Sequence, residues 1–399
     1  MAGAAKSIGV TPILDSATRP PAKKKRLGSL VGVLLAIPYV AVLISASNNA
    51  RQSGNSGSDF VFPSYILAIF LAIVTHELGH LAAGWMVGFR FDSLRVGPIS
   101  LYFEYGRLKI SLRKSLPAGG YAGMRFDRIR RLRKRLLIFV AGGPIINLFS
   151  AAATALLLAY APPKSIWLAT FCNMFWMISA ISGVINLLPL RLGVLYADGA
   201  RILMLLSSVP KSRRWISQNA IVWQSHTGVR PKAWKRTWLE AAGRVRDGSV
   251  DDFAGNWAAY LAANDRKDIF VAAVHLERCL EGMNLLGPLF QDMVALEAAV
   301  FSSWFREDAV TAQKWLAQVK KLKALPQLLQ NRAQIAMCCG RKEFGLALSF
   351  WQEGIALIEK LPSTPLKVRF TEGFLEWRDE IREREGSQAS TPESVPAVL

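Results

Sequence analysis

The sequence predicts a mainly α, polytopic membrane protein with about four transmembrane helices and a small membrane-associated β-hairpin. A soluble α-helical repeat domain of tetratricopeptide-like type is expected to follow. Three observations carry this. The 399 residues are 51% hydrophobic yet carry a formal net charge of +20, which suits membrane spans joined by basic water-facing segments. Four apolar runs are each long enough to cross a bilayer, which takes about twenty residues. Beyond residue 251 the pattern changes to apolar positions at helical spacing among charged ones.

Residues 1–26 mix Pro, Ala, Ser and Thr and end in Lys23-Lys24-Lys25-Arg26, the composition of a disordered basic arm. Leu27 to Ala46 follows as a first span, too long for the apolar core of a signal peptide. The next loop, Ser47 to Asp59, has Arg51 as its one basic residue, so the positive-inside rule puts the N-terminus in the cytoplasm and this loop outside. A second span runs from Phe60 to about Val87. Near its end stands His76-Glu77-Leu78-Gly79-His80. On a helix, positions four apart share one face, so both imidazoles can reach one metal ion, while Glu77 can take a proton from a metal-bound water. Ionisable groups at the end of so apolar a run are costly unless they have a function.

Phe91 to Leu112 alternates as strands do, with Tyr105-Gly106 as the turn of a hairpin between Leu101-Tyr102-Phe103 and Leu108-Lys109-Ile110. Leu116-Pro117-Ala118-Gly119-Gly120-Tyr121 is a helix-breaking cluster suited to a loop that dips toward the metal site. Seven of the eleven residues from Arg125 to Arg135 are Arg or Lys, a cytoplasmic marker that also attracts anionic lipid headgroups. Leu136 to Tyr160 is the third span and carries small residues and Asn147; Ile166 to Leu188 is the fourth, interrupted near its end by Asn186 and Pro189.

The domain plan is then a basic arm (1–26), a membrane-embedded domain (27–205), a basic Trp-rich connector (206–250), a helical-repeat domain (251–385) and a disordered tail (386–399). Within the repeat domain, Tyr260, Asp268, Ala272, His275 and Leu276 are echoed by Val300, Asp308, Ala312, Trp315 and Leu316, and again by Ile335, Glu343, Ala347, Phe350 and Trp351. Such recurrence suits stacked helical hairpins, which bind proteins. The four cysteines lack C-x-x-C spacing and read as free thiols; His226 and His275 are expected to stay outside the metal site. No nucleic-acid module accompanies the positive charge, so nucleic acid is not an expected partner.

Several separated motifs agree with one another. His76-Glu77-Leu78-Gly79-His80, Pro117-Ala118-Gly119-Gly120-Tyr121, Gly143-Pro144-Ile145-Ile146-Asn147, and Asn186-Leu187-Leu188-Pro189 followed by Asp198-Gly199 together resemble the site-2 protease family of intramembrane zinc metallopeptidases. The resemblance covers about residues 60–205. It implies one Zn2+ held by His76, His80 and Asp198, with Glu77 as catalytic base. Gly119, Gly120, Gly143, Asn147, Asn186 and Pro189 are implied as supporting or substrate-positioning residues, and the substrate as a membrane-anchored protein. The expected location is the bacterial plasma membrane. One departure stands out: many members place the Asp a few residues after the Pro, whereas Leu190 to Ala197 intervene here and can form a small loop. Asp198 could also serve as the cap of a following helix. Two other function classes compete. A non-catalytic membrane scaffold binding a partner through the repeats fits poorly with retention of Glu77. A metal transporter fits poorly with four spans and no repeated half.

Overall fold

A computed structural model describes residues 12–17, 26–52, 58–104, 107–112, 119–192 and 195–389. The chain divides into two units: Lys24–Ile216, and Ser217–Leu399 together with Met1–Lys23. The short helix α1 (Pro12–Ser16) belongs to the latter.

The membrane unit begins with α2 (Arg26–Gln52) and α3 (Ser58–Met86), then strands β1 (Phe89–Val96), β2 (Ile99–Glu104), β3 (Arg107–Leu112) and β4 (Gly120–Phe126). Helices α4 (Leu132–Tyr160) and α5 (Ile166–Leu187), the two-residue strands β5 (Arg191–Leu192) and β6 (Leu195–Tyr196), and α6 (Asp198–Leu206) complete it. Among the described residues, three helices are long and apolar enough to cross a membrane: Phe60–Met86, Leu132–Tyr160 and Ile166–Leu187. The first predicted span, Leu27 to Ala46, falls within α2. Helices α3, α4 and α5 pack on one another, and α2 joins α3 and α5 around Val42, Tyr65, Ala68 and Met174. Outward positions of α4 remain apolar: Ile145, Phe149 and Leu156 are exposed, which suits a lipid-facing surface.

The β structure is larger than a hairpin. Four antiparallel strands lie in the order β3-β2-β1-β4. Leu101 faces Ile110 and Phe103 faces Leu108 as the alternation predicts; the turn residues Tyr105-Gly106 lie outside the described residues. Strand β4 grows out of the Gly-rich stretch, pairing Gly120 with Val96 and Phe126 with Phe89. Gly119 and Gly120 are described; Pro117 and Ala118 are not.

Helix α7 (Pro210–His226) contains the division between Ile216 and Ser217, and in the other unit α8 (Arg236–Gly243) precedes α9 (Val250–Asp265), α10 (Ile269–Gly282), α11 (Pro288–Arg306), α12 (Ala309–Ala317), α13 (Gln327–Gly340), α14 (Phe344–Glu359) and α15 (Pro365–Ala389). Residues 217–249, read from sequence as a connector, share a core with α9: Ile221, Trp234, Leu239 and Ala242 pack with Ala258 and Ala262. Helices pair as α9–α10, α11–α12 and α13–α14. The three echoed residue sets occupy matching places. Tyr260, Val300 and Ile335 are buried on the first helix of each pair, and Ala272, Ala312 and Ala347 on the second. Asp268, Asp308 and Glu343 stand at the N-caps of the second helices. Each cap follows a left-handed residue, Lys267, Glu307 or Lys342, which turns the chain between the paired helices. Cys172, Cys279, Cys338 and Cys339 are free and buried.

The connection between α7 and α8 is pinned to Glu376 on α15. Arg230 donates both guanidinium nitrogens to it at 2.6 Å, and Lys232 Nζ donates at 2.8 Å. The Arg230 hydrogen bonds lower the Glu376 carboxyl from 4.5 to about 2. A depressed carboxyl contributes stability above its unfolded pKa and loses it as pH falls through the folded value. Thermal unfolding of the full chain followed by circular dichroism should therefore weaken between about pH 5 and pH 2. Glu376→Gln should lack that part of the decline; equal declines in both proteins would count against the bridge.

Candidate metal centre

His76 and His80 lie one turn apart near the end of α3 and are both buried, 9% and 7% exposed, as is Glu77 at 6%. Their Nε2 atoms are 3.2 Å apart. Asp198 Oδ2 lies 3.0 Å from His76 Nε2 and 3.4 Å from His80 Nε2. Among the described residues these three form the one group of metal-ligand type, with ligand atoms within 4.8 Å of one another. Burial opposes the charge on Asp198, but its contacts with His76 and His80 prevail and hold the carboxyl below its ordinary range.

The route that brings Asp198 here explains the long spacing from Pro189. Pro189 lacks an N–H and holds Leu188 extended (φ −68°, ψ 143°), ending α5. The chain then doubles back, pairing Arg191 with Tyr196 and Leu192 with Leu195. Ala197 N–H donates to the Leu190 carbonyl at 3.0 Å, closing the excursion. Asp198 thus re-emerges beside the end of α5 as the first residue of α6. The N-cap of α6 is Ala197, with no side-chain cap bond, so the Asp198 carboxylate is directed at the histidines rather than at its own helix. Gly199 packs so tightly on the Leu187 carbonyl that a Cβ there would overlap it. Arg133 secures the far end of α6, donating to the carbonyls of Leu205 at 2.5 Å and Ser207 at 2.6 Å.

The two rings are oriented from behind. His80 Nδ1 lies 2.9 Å from the Phe139 carbonyl; a proton on Nδ1 donated there leaves the Nε2 lone pair facing Asp198 and His76. The Asn147 amide sits 3.3 Å from His76 Nδ1. With its oxygen turned to the ring it accepts the Nδ1 proton and frees Nε2 in the same way. That orientation also gives a partner to Asn147 Oδ1, which is otherwise a buried oxygen without one. Two neutral imidazoles and one carboxylate facing a common point are a fitting donor set for zinc. Space is kept by glycine: a Cβ on Gly143 would overlap Nε2 of both histidines, and one on Gly120 would overlap the Glu77 carboxylate. Asn147→Ala should therefore weaken zinc affinity by roughly 10- to 100-fold, the usual cost of losing an outer-shell partner. Equilibrium competition with a chelator measures this; unchanged affinity would remove Asn147 from the site.

The other predicted residues are placed less centrally. Asn186 donates to Ser182 O within its own helix at 3.0 Å, Pro189 is exposed and serves the turn, and Gly119 takes φ +110° before β4. His275 lies 3.0 Å from Asn256 Oδ1 in the helical unit, and neither His275 nor His226 joins the metal-ligand group. Three supporting groups escaped the sequence reading: the Phe139 carbonyl, Arg133 and Arg135. Arg135 is buried, donates to Val87 O at 2.8 Å and Arg128 O at 2.6 Å, and pairs with Asp127. It thereby ties the start of α4 to the exit of α3.

Residues 64–166 match the family model of Peptidase family M50, the site-2 protease family of zinc metallopeptidases. The match contains His76, Glu77, His80, Gly143 and Asn147, and it stops short of Asp198. Neither a curated protein nor a solved structure matches the chain.

Proposed function

From an M50 segment with two histidines and an aspartate converging beside Glu77, we propose an intramembrane zinc metalloprotease. Its reaction is hydrolysis of a peptide bond in or near the transmembrane segment of a membrane-anchored protein. The convergence of His76, His80 and Asp198 near the end of an apolar helix carries this reading. Zinc held by these three residues would supply a Lewis acid that polarises the scissile carbonyl and acidifies water. Glu77 takes the proton of the attacking water and returns it to the leaving amine. Asn147 and the Phe139 carbonyl keep both imidazoles in the ligand tautomer.

A membrane helix hides its carbonyls in its own hydrogen bonds, so the substrate must be opened before it can react. The sheet offers two edges for an extended chain, β3 and β4. Gly120 at the start of β4 rests on Glu77, so a strand paired there would run close to the base. The exposed basic residues Arg128, Arg130, Arg131 and Lys134 are suited to anionic headgroups. Charge alternation along the chain favours a cytoplasmic N-terminus, 125–135 loop and C-terminal unit, with α2 as a fourth span. Introduced cysteines at 47–59 should react with an impermeant reagent from outside; reaction at 125–135 instead would reverse this topology. The function itself is tested by comparing membrane proteomes of cells carrying the intact chain or Glu77→Gln. A membrane-anchored protein should accumulate uncut with the variant; identical proteomes would count against proteolysis.

A further inference from the structure

The segment read as a disordered arm contains a docked peptide. Ile13 and Leu14 give their backbone N–H groups to the two carboxylate oxygens of Glu277 on α10, at 2.8 and 2.9 Å. The Leu14 carbonyl accepts from Trp315 Nε1 on α12 at 2.9 Å, and the Ala17 carbonyl accepts from Gln318 at the end of α12. Asp15 pairs with Arg306 on α11. The Leu14 side chain is fully buried among the core residues of α9 to α12.

These contacts read three properties of a peptide. An acceptor at one end and two side-chain donors at the other fix its direction, because the leading N–H groups and trailing C=O groups of a short helical turn have no partners of their own. A closed apolar site selects Leu. The guanidinium selects an acidic residue directly after it. Asp15 is the sole acidic residue among the first 26, so Ile-Leu-Asp stands as an isolated recognition pattern in an otherwise Pro-, Ala- and Lys-rich stretch. Eight residues, 18–25, join the docked segment to α2.

We propose that Glu277, Arg306, Trp315 and Gln318 form a peptide-recognition socket for segments of the pattern Ile-Leu-Asp. Residues 13–17 fill it in cis, and an exposed segment of the same pattern on a partner protein is its ligand in trans. The tethered copy competes with that ligand, so the partner binds by exchange.

The test uses full-length protein in detergent and a fluorescent peptide copying residues 10–19, with binding read by anisotropy. Leu14→Asp in the protein should eject the tethered copy and open the socket. The peptide should then bind at least about tenfold tighter than to the wild-type chain. Adding Glu277→Ala to the Leu14→Asp chain, or placing Leu14→Asp in the peptide, should abolish binding. A folded Leu14→Asp chain that does not take up the peptide overturns the proposal, as does binding indifferent to the peptide's Leu. A chain lacking residues 1–17 is the second vehicle. If neither variant keeps the helical unit folded, the segment is fixed core and the socket does not exist.

Discussion

Glu77→Gln is expected to abolish measurable peptide hydrolysis while leaving zinc in place. The carboxylate is buried against Gly120 beside the two histidines without being one of the three converging ligands. An amide of the same size keeps the packing but cannot accept a proton. Loss of a general base typically costs about a hundredfold to ten-thousandfold in rate. Purified wild-type and variant protein, reconstituted with a membrane-anchored substrate recovered from the proteomic comparison, give the rates. Metal analysis of the same samples supplies the control. Full activity in the variant would remove Glu77 from the mechanism, and joint loss of metal and activity would make it a ligand instead.

Asp198→Asn should act at the other point, losing zinc and hydrolysis together while the fold survives. The carboxylate contacts both histidines, and two imidazoles alone leave more open positions than a catalytic zinc site uses. The effect should exceed the roughly 10- to 100-fold cost expected for an outer partner such as Asn147. The fold is expected to persist because α6 does not use Asp198 as its cap and Arg133 still holds its far end.

How far the sequence foretold this arrangement depends on the range of the contacts involved. His76 and His80 were legible because helical spacing alone makes them neighbours, and the β2–β3 pairing because alternation alone sets its register. Strand β4 was not, since Gly119-Gly120 punctuates like a loop and β4's partner β1 lies across two intervening strands. The resemblance supplied Asp198, but its path did not follow from local pattern: the return depends on pairing Arg191 with Tyr196. The Phe139 carbonyl carries no side-chain signature at all. Arg133 and Arg135 were hidden inside a run of positive charge that reads as solvated surface, yet both turn inward to backbone carbonyls. The docking of Leu14 was invisible for a similar reason: a five-residue helix has no periodicity to detect, and its binding groups are scattered over three distant helices.

The central claim is that His76, His80 and Asp198 hold one catalytic zinc ion. Zinc content and X-ray absorption of purified wild-type and Asp198→Asn protein test it most directly. The wild type should carry about one zinc per chain with two imidazole nitrogens and carboxylate oxygen in its first shell, and Asp198→Asn should lose the metal. A full complement of zinc with an unchanged shell in Asp198→Asn would contradict the site.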